Sequence, residues 1–386
     1  MTEQDSTGKK VNMQGVFPMA PVSSCSPESP HPEMMPARLD QPFAEGFMES
    51  PSGRIPRVSP SLRTEDRIGT IKARIGVGRM VYTVDPGLYA LGEPDRNSPV
   101  LVTANYKMSF DSLRGALLGR SAWILVLDTK GINVWCAAGK GTFGTEELVL
   151  RIAAVGLKNI VEHKDIILPQ LGAPGVAAHL VKKLSGFRVH YGPIRAHDLP
   201  AYLDAGMKAT RQMRTKTFSL KERAVLIPIE LVGTLRTAAI IIPIMFLVSG
   251  FLGSKDFVPN LLKDGVFTAA AVLSAVFAGA VLTPLLLPYL PGRAFSVKGF
   301  SAGFFTALLL LFLRGIDMGS LHGVLGGSAW VLMMSAVSAY LAMNFTGAST
   351  YTSLSGVKKE MRWALPVQIG AGISGICLWL LSGFFA

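Results

Sequence analysis

The chain reads as an α/β domain built on a parallel sheet, followed by an all-α domain of about five transmembrane helices, and three observations lead there. Hydrophobic residues fill 49% of the 386 positions and charged residues only 17%, whereas soluble proteins carry roughly a quarter charged residues. The apolar excess gathers after Ala224. Before it, short β-branched runs alternate with helical stretches, the spacing of strand, crossover helix and parallel strand.

The first 60 residues hold ten prolines among Ser, Met and scattered charges. With no periodic apolar pattern to offset chain entropy, a disordered leader is expected over 1–60. It shows no apolar core of a secretory signal, so the next domain is expected to stay in the cytoplasm. That α/β domain should occupy 61–210, with strands near Val100–Thr103, Trp123–Leu127, Ile166–Ile167 and Phe187–His190. Helices should lie at Phe110–Leu118, Thr145–Val155 and Gly175–Leu184. Ligands of such sheets bind beyond the carboxyl ends of the strands.

Residues 211–224 form a basic juxtamembrane linker, and 225–386 a transmembrane domain. Its spans lie near Leu226–Leu252, Val266–Leu290, Phe295–Leu313, Leu321–Phe345 and Trp363–Phe385, each close to the roughly twenty residues a bilayer needs. Flanks and loops on one side carry eleven Lys and Arg, against three on the other. This puts the α/β domain on the cytoplasmic face of the inner membrane and the C-terminus outside. The net charge of +12 therefore reads as membrane orientation rather than nucleic-acid binding, for no aromatic stacking surface accompanies it. Glu230 and Arg236 interrupt the first span and read as an interfacial first turn, while Gly323 and Gly327 form a helix-packing pair. No span clusters carboxylates or histidines, so the bundle reads as an anchor.

Cys25, Cys136 and Cys377 lie far apart, which excludes a disulfide framework and zinc spacing. Cys136 stands out. Its segment is a buried strand from Trp123, a loop, and a short helical turn with Asn133 as N-cap and Gly139 as the left-handed stop. A cysteine in the first turn, near Lys140, meets the positive end of the peptide dipoles, which favours a thiolate able to ligate a soft metal or act as a nucleophile. Ala137, Ala138, Gly139 and Gly141 leave a flat surface that a planar macrocycle could approach, and Trp135 could pack on it. Gly139, Gly141 and Gly144 spell GxGxxG. A dinucleotide site would need them directly after a strand, and the cysteine turn intervenes. No histidine falls in HExxH or DxHxxG spacing.

The run Asn133–Lys140, NVWCAAGK, resembles the signature cap helix of the mercury-methylating corrinoid proteins. VTANYKMSFDSLR, from Val102 to Arg114, resembles a second block of that family, with Ser109 where a threonine is expected. Five C-terminal spans match its architecture, so the resemblance covers about residues 61–386. The family's soluble domain is similar to the large subunit of the corrinoid iron–sulfur protein. The resemblance implies a cobalamin-binding α/β domain, a Rossmann-like sheet with a cap helix, gripping a base-off corrinoid with Cys136 as lower axial ligand of the cobalt. It places Thr103, Asn105, Ser109, Asn133, Val134, Trp135, Ala137, Ala138, Gly139 and Lys140 at the cofactor beside Cys136. Activity and partners follow from it: a methyltransferase that converts Hg(II) to methylmercury, a ferredoxin-like protein with two 4Fe–4S clusters, and a methyltetrahydrofolate-linked methyl donor. A different methyl acceptor, a membrane-bound thiol sensor or metal-binding module, and a dinucleotide oxidoreductase are the competing readings.

Overall fold

The computed structural model describes residues 37–252, 256–345 and 354–385; the leader as far as residue 36, Cys25 and Lys255 lie outside the described residues. Seven strands form one sheet in the order β1-β2-β3-β5-β4-β6-β7. They are β1 (Ala44–Ser50), β2 (Gly53–Val58), β3 (Gly87–Leu91), β4 (Val100–Ala104), β5 (Ala122–Leu127), β6 (Asp165–Leu168) and β7 (Arg188–Tyr191).

The expected parallel sheet holds for the half β5-β4-β6-β7, in which each neighbouring pair is parallel. The other half is mixed, since β3 runs antiparallel to β5 and β1 antiparallel to β2. The cause is loop length. Residues 92–99 join β3 to β4, too few for the crossover of a dozen or more residues that returns a chain to the same end of a sheet. The 60-residue disordered leader is also corrected, because Ala44–Val58 are a hairpin at the sheet's edge. Pro56 is tolerated in β2 because the β2–β3 ladder is registered only at Arg57↔Ala90 and Val58↔Leu91, beyond the missing N–H.

Both faces of the sheet are covered. On one, α4 (Thr145–Ala154) and α6 (Ala178–Ser185) bury Leu148, Ile152 and Val181 against Val102, Leu125 and Ile166. On the other, α2 (Lys107–Gly115) and α7 (Leu199–Asp204) bury Phe110, Leu113 and Tyr202 against Leu101, Ile124 and Ile167. The helices α1 (Thr64–Arg74), α3 (Val134–Lys140) and α5 (Leu157–Ile160) complete the layer pattern. Two-sided burial explains why β4 and β5 are continuous apolar runs rather than alternating ones.

Among the described residues, five helices are long and apolar enough to cross a membrane: Leu220–Phe251, Phe257–Leu285, Phe295–Arg314, Leu321–Asn344 and Gly356–Phe385. The close helix approach is not at Gly323 and Gly327. A Cβ on Gly323 would meet the Asp317 carbonyl, and one on Gly327 the Met318 methyl at 3.3 Å, so both fit the loop that precedes their own helix. Gly299 and Gly303 do pack against another helix: a Cβ on Gly299 would lie 2.4 Å from Ala342 Cβ, and one on Gly303 2.8 Å from the Met334 carbonyl oxygen, both of the fourth helix.

Candidate functional site

Within the parallel half, the chain leaves β4 towards β5 on one side, and leaves β6 towards β7 on the other. The crevice outside the carboxyl ends of β4 and β6 is thus the switch point where doubly wound sheets bind ligands. A cavity of about 680 Å³ opens there, lined by Thr103 from β4, Ser109 from α2, Ile167 and Leu168 from β6, and Asn133 to Cys136 from the start of α3.

The loop that carries α3 is held from below. The buried Asn105 Oδ1 accepts from the backbone N–H groups of Thr129 and Gly131 at 3.1 and 3.0 Å, and its Nδ2 donates to Asp128 at 3.2 Å. Burial by itself would raise the Asp128 carboxyl, but Lys130, through side-chain and backbone hydrogen bonds, holds it below its ordinary value. Gly131 takes φ 71°, and a Cβ there would lie 3.0 Å from the Met80 carbonyl oxygen. Asn105 accordingly belongs under the site and does not line the cavity.

Asn133 caps α3 as its residue type predicts, its Oδ1 accepting from Cys136 N–H at 2.9 Å. The helix ends two residues later than expected, at Gly141 with φ 84°, while Gly139 is helical and exposed. Trp135 and Cys136 are half-buried and face the cavity. Ala137 and Ala138 point the other way, into the core, at 0% and 6% exposure. Their small size serves packing: a Cβ on Gly175 would lie 3.0 Å from Ala138 Cα and 2.1 Å from the Phe143 carbonyl oxygen, so α3 rests directly on the 170–175 segment. The flat-surface reading of these two alanines is therefore overturned. Lys140 is exposed and does not line the cavity. Gly141 and Gly144 shape the turn between α3 and α4, a Cβ on Gly144 meeting the Gly141 carbonyl oxygen at 2.7 Å, and make no strand-to-helix phosphate loop.

Of the eleven expected site residues, the structure brings Thr103, Ser109, Asn133, Val134, Trp135 and Cys136 to one cavity and leaves Asn105, Ala137, Ala138, Gly139 and Lys140 outside it. Sequence reasoning missed Arg79, Met108, Arg195, Lys216, Glu230 and Asn344, which also line it. Met108 shares a helix face with Ser112 and was legible in the α2 block; the others come from distant segments. Arg195 and Lys216 are not free cations. Both reach Glu222, Lys216 Nζ at 2.5 Å and Arg195 Nε at 3.5 Å.

Residues 77–203 match the model of a family described as CO dehydrogenase/acetyl-CoA synthase delta subunit. That match lies wholly within the α/β domain. Similar proteins include the acetyl-CoA decarbonylase/synthase complex subunit gamma of Methanopyrus kandleri, 33% identical over 123 residues, which are 31% of this chain and 26% of the relative. The same subunit of Methanothermobacter thermautotrophicus is 34% identical over 128 residues, 33% of this chain and 28% of the relative. The corrinoid/iron-sulfur protein large subunit of Moorella thermoacetica is 31% identical over 126 residues, 32% of this chain and 28% of the relative. The chain thus spans about a quarter of the length of these curated relatives.

Two substitutions probe the geometry. Asn133→Ala removes the α3 cap and should cost about 1 kcal/mol, seen as a lower unfolding midpoint together with faster alkylation of Cys136 as the first turn frays. Gly175→Ala places a Cβ against backbone atoms that cannot give way. It should displace α3 and cost about 2 kcal/mol, in the range of overpacking, read as a thermal shift larger than that of Asn133→Ala.

Proposed function

We propose that this cavity holds a corrinoid with the Cys136 thiolate as lower axial ligand of its cobalt, and that the chain is a membrane-anchored methyltransferase whose acceptor is Hg(II), giving methylmercury. The observation that carries the reading is the place of Cys136 on the wall of the switch-point cavity, inside the matched residues 77–203 of a chain that is also similar to a protein named as a corrinoid/iron-sulfur large subunit.

The donor set fits such a group. Among the described residues no three His, Cys, Asp or Glu gather in a way that could hold a metal ion, and a macrocycle would bring most of its metal's ligands with it and need only Cys136 from the protein. The volume lies within the range of about 300–1,000 Å³ usual for cofactor and ligand clefts, with an open mouth for the parts of the ligand that project. Thr103 and Ser109 offer hydroxyls to amide substituents, Trp135 an aromatic flank, and Asn133 a fixed backbone beneath the sulfur. A corrinoid held here by Cys136 would supply a methyl group bonded to cobalt, and the electron-rich Cys136 thiolate would favour giving that methyl to an electrophile such as Hg(II).

Leu101, Val102, Ile167 and Leu168 give the cavity an apolar flank, and the Asn133–Cys136 hydrogen bond caps the turn that carries the sulfur. A ferredoxin-like partner with two 4Fe–4S clusters would return electrons, and a methyltetrahydrofolate-linked enzyme the methyl group. The eleven-to-three bias of Lys and Arg supports an inner-membrane protein with the α/β domain in the cytoplasm and the C-terminus outside. The test is direct. Full-length protein purified from a corrinoid-supplied host should carry one cobalt per chain and, once methylated, convert Hg(II) to methylmercury. Stoichiometric Hg(II) or Cu(I) binding without cobalt would sink the corrinoid and leave a thiol metal-binding module.

A further inference from the structure

The cavity is not closed by the α/β domain alone. Leu226 and Glu230 from the first apolar helix, and Asn344 from the end of the fourth, also line it. The α/β domain is seated on that first helix, for a Cβ on Gly76 would lie 3.0 Å from Ile229 Cδ1, one residue from Glu230. Glu230 stands in the first turn after Pro228, half-buried, on the same cavity wall as Asn344 and Arg79 of the α/β domain. Carboxylates within apolar spans are expensive and persist where they face a polar ligand or a partner.

We infer that the membrane bundle is a wall of the cofactor site, with Glu230 and Asn344 forming a hydrogen-bonding pair for the amide fringe of the corrinoid. The inference rests on the proposed corrinoid reading and deepens it. The chemistry matches on both sides. The rim of a corrin carries primary carboxamides, each with two N–H donors and one carbonyl acceptor. A glutamate carboxylate accepts only, and a neighbouring asparagine amide both donates and accepts. An amide donating to a carboxylate makes a charge-assisted hydrogen bond, the stronger kind. The bundle, read from sequence as an anchor, then has a second task. It sets how tightly the cofactor is held.

The experiment measures corrinoid affinity, not turnover. Apo full-length protein in lipid nanodiscs is titrated with cobinamide, followed by visible absorbance, for the native chain, Glu230→Gln and Glu230→Leu. The leucine variant should bind on the order of tenfold more weakly, the equivalent of about 1.4 kcal/mol, and the glutamine variant within about threefold of native. The same series is run with a corrinoid whose amides are replaced by methyl esters, which have no N–H to donate; native and Glu230→Leu should then bind alike. Equal affinity of native and Glu230→Leu for cobinamide overturns the inference, as does an equal loss with both ligands, which marks a purely structural role. Should the native chain bind neither corrinoid, the cofactor reading itself has failed, a result distinct from either.

Discussion

Cys136→Ala is expected to leave the corrinoid in place while erasing the thiolate-to-cobalt absorption and lowering methyl transfer to Hg(II) by more than about a hundredfold. The magnitude follows from scale: altering the outer partners of a metal ligand commonly costs about 10–100-fold, and on the proposed reading the ligand itself is removed. Retention is expected because the rest of the cavity wall comes from elsewhere, Thr103 and Ser109 from β4 and α2, and Glu230 and Asn344 from the bundle. The fold should tolerate the change. Cys136 is half-buried, makes its one side-chain-to-backbone cap contact through its own N–H, and lies between Ala137 and a cavity rather than in a packed core. Purified wild type and variant are compared for cobalt content, visible spectrum and methylmercury yield. An unchanged spectrum in the variant would end the assignment of Cys136 as axial ligand, whatever the yield.

The place of Cys136 in that prediction was reachable from the sequence because its parts are local, whereas the cobalt came only from the family resemblance. Asn133 three residues before Cys136 is a cap signature that needs no tertiary information, and strands buried on both faces, such as Trp123–Leu127, announce themselves as unbroken β-branched and aliphatic runs. Two kinds of feature were not legible. The first is elements whose residues contradict their state: Gly87–Leu91 is a central strand with no β-branched residue, and Ala44–Val58 hides a hairpin behind Pro51, Pro56 and charge. The second is anything decided by a distant segment. Ala137 and Ala138 are small whichever way they face, and only the arrival of Gly175 from the far side of β6 turns them into packing residues. The stop at Gly141 rather than Gly139 is similar, both glycines being able to adopt the left-handed cap.

Glu230 shows the same limit at longer range. Its first-turn placement agrees with the interfacial reading, yet its lining of the Cys136 cavity depends on how the α/β domain seats on the bundle. Residue pattern ranks an intramembrane carboxylate as functional by default, but cannot say which cavity it serves.

The second large effect concerns what holds α2 beneath that cavity. Lys107 Nζ lies 2.6 Å from Asp66 Oδ1 and 2.7 Å from Asp111, and Arg114 reaches Asp66 at 2.6 Å and Asp111 at 2.8 Å. All four side chains are under 10% exposed, so two cations and two anions are balanced in a desolvated site that pins α1 to α2. Burial tends to raise the Asp66 carboxyl, but Lys107, the Arg63 backbone N–H and Arg114 hold it below its ordinary value. Its stabilising share is therefore present above about pH 4 and is lost as the pH falls through the depressed native value.

Asp111→Ala leaves two buried cations on one carboxylate and should cost about 3–5 kcal/mol, the penalty for breaking a buried pair from one side. For a domain of this size that is a drop of roughly 10 °C in its unfolding midpoint, measured by protease cleavage of the full-length chain on heating, with Cys136 alkylation rising in step as α2 loosens. Lys107→Met combined with Asp111→Leu removes one charge of each sign and leaves the Arg114–Asp66 pair intact, so the double variant should recover most of the loss despite carrying more substitutions. A double variant no more stable than Asp111→Ala would show that stranded charge is not the source of the loss.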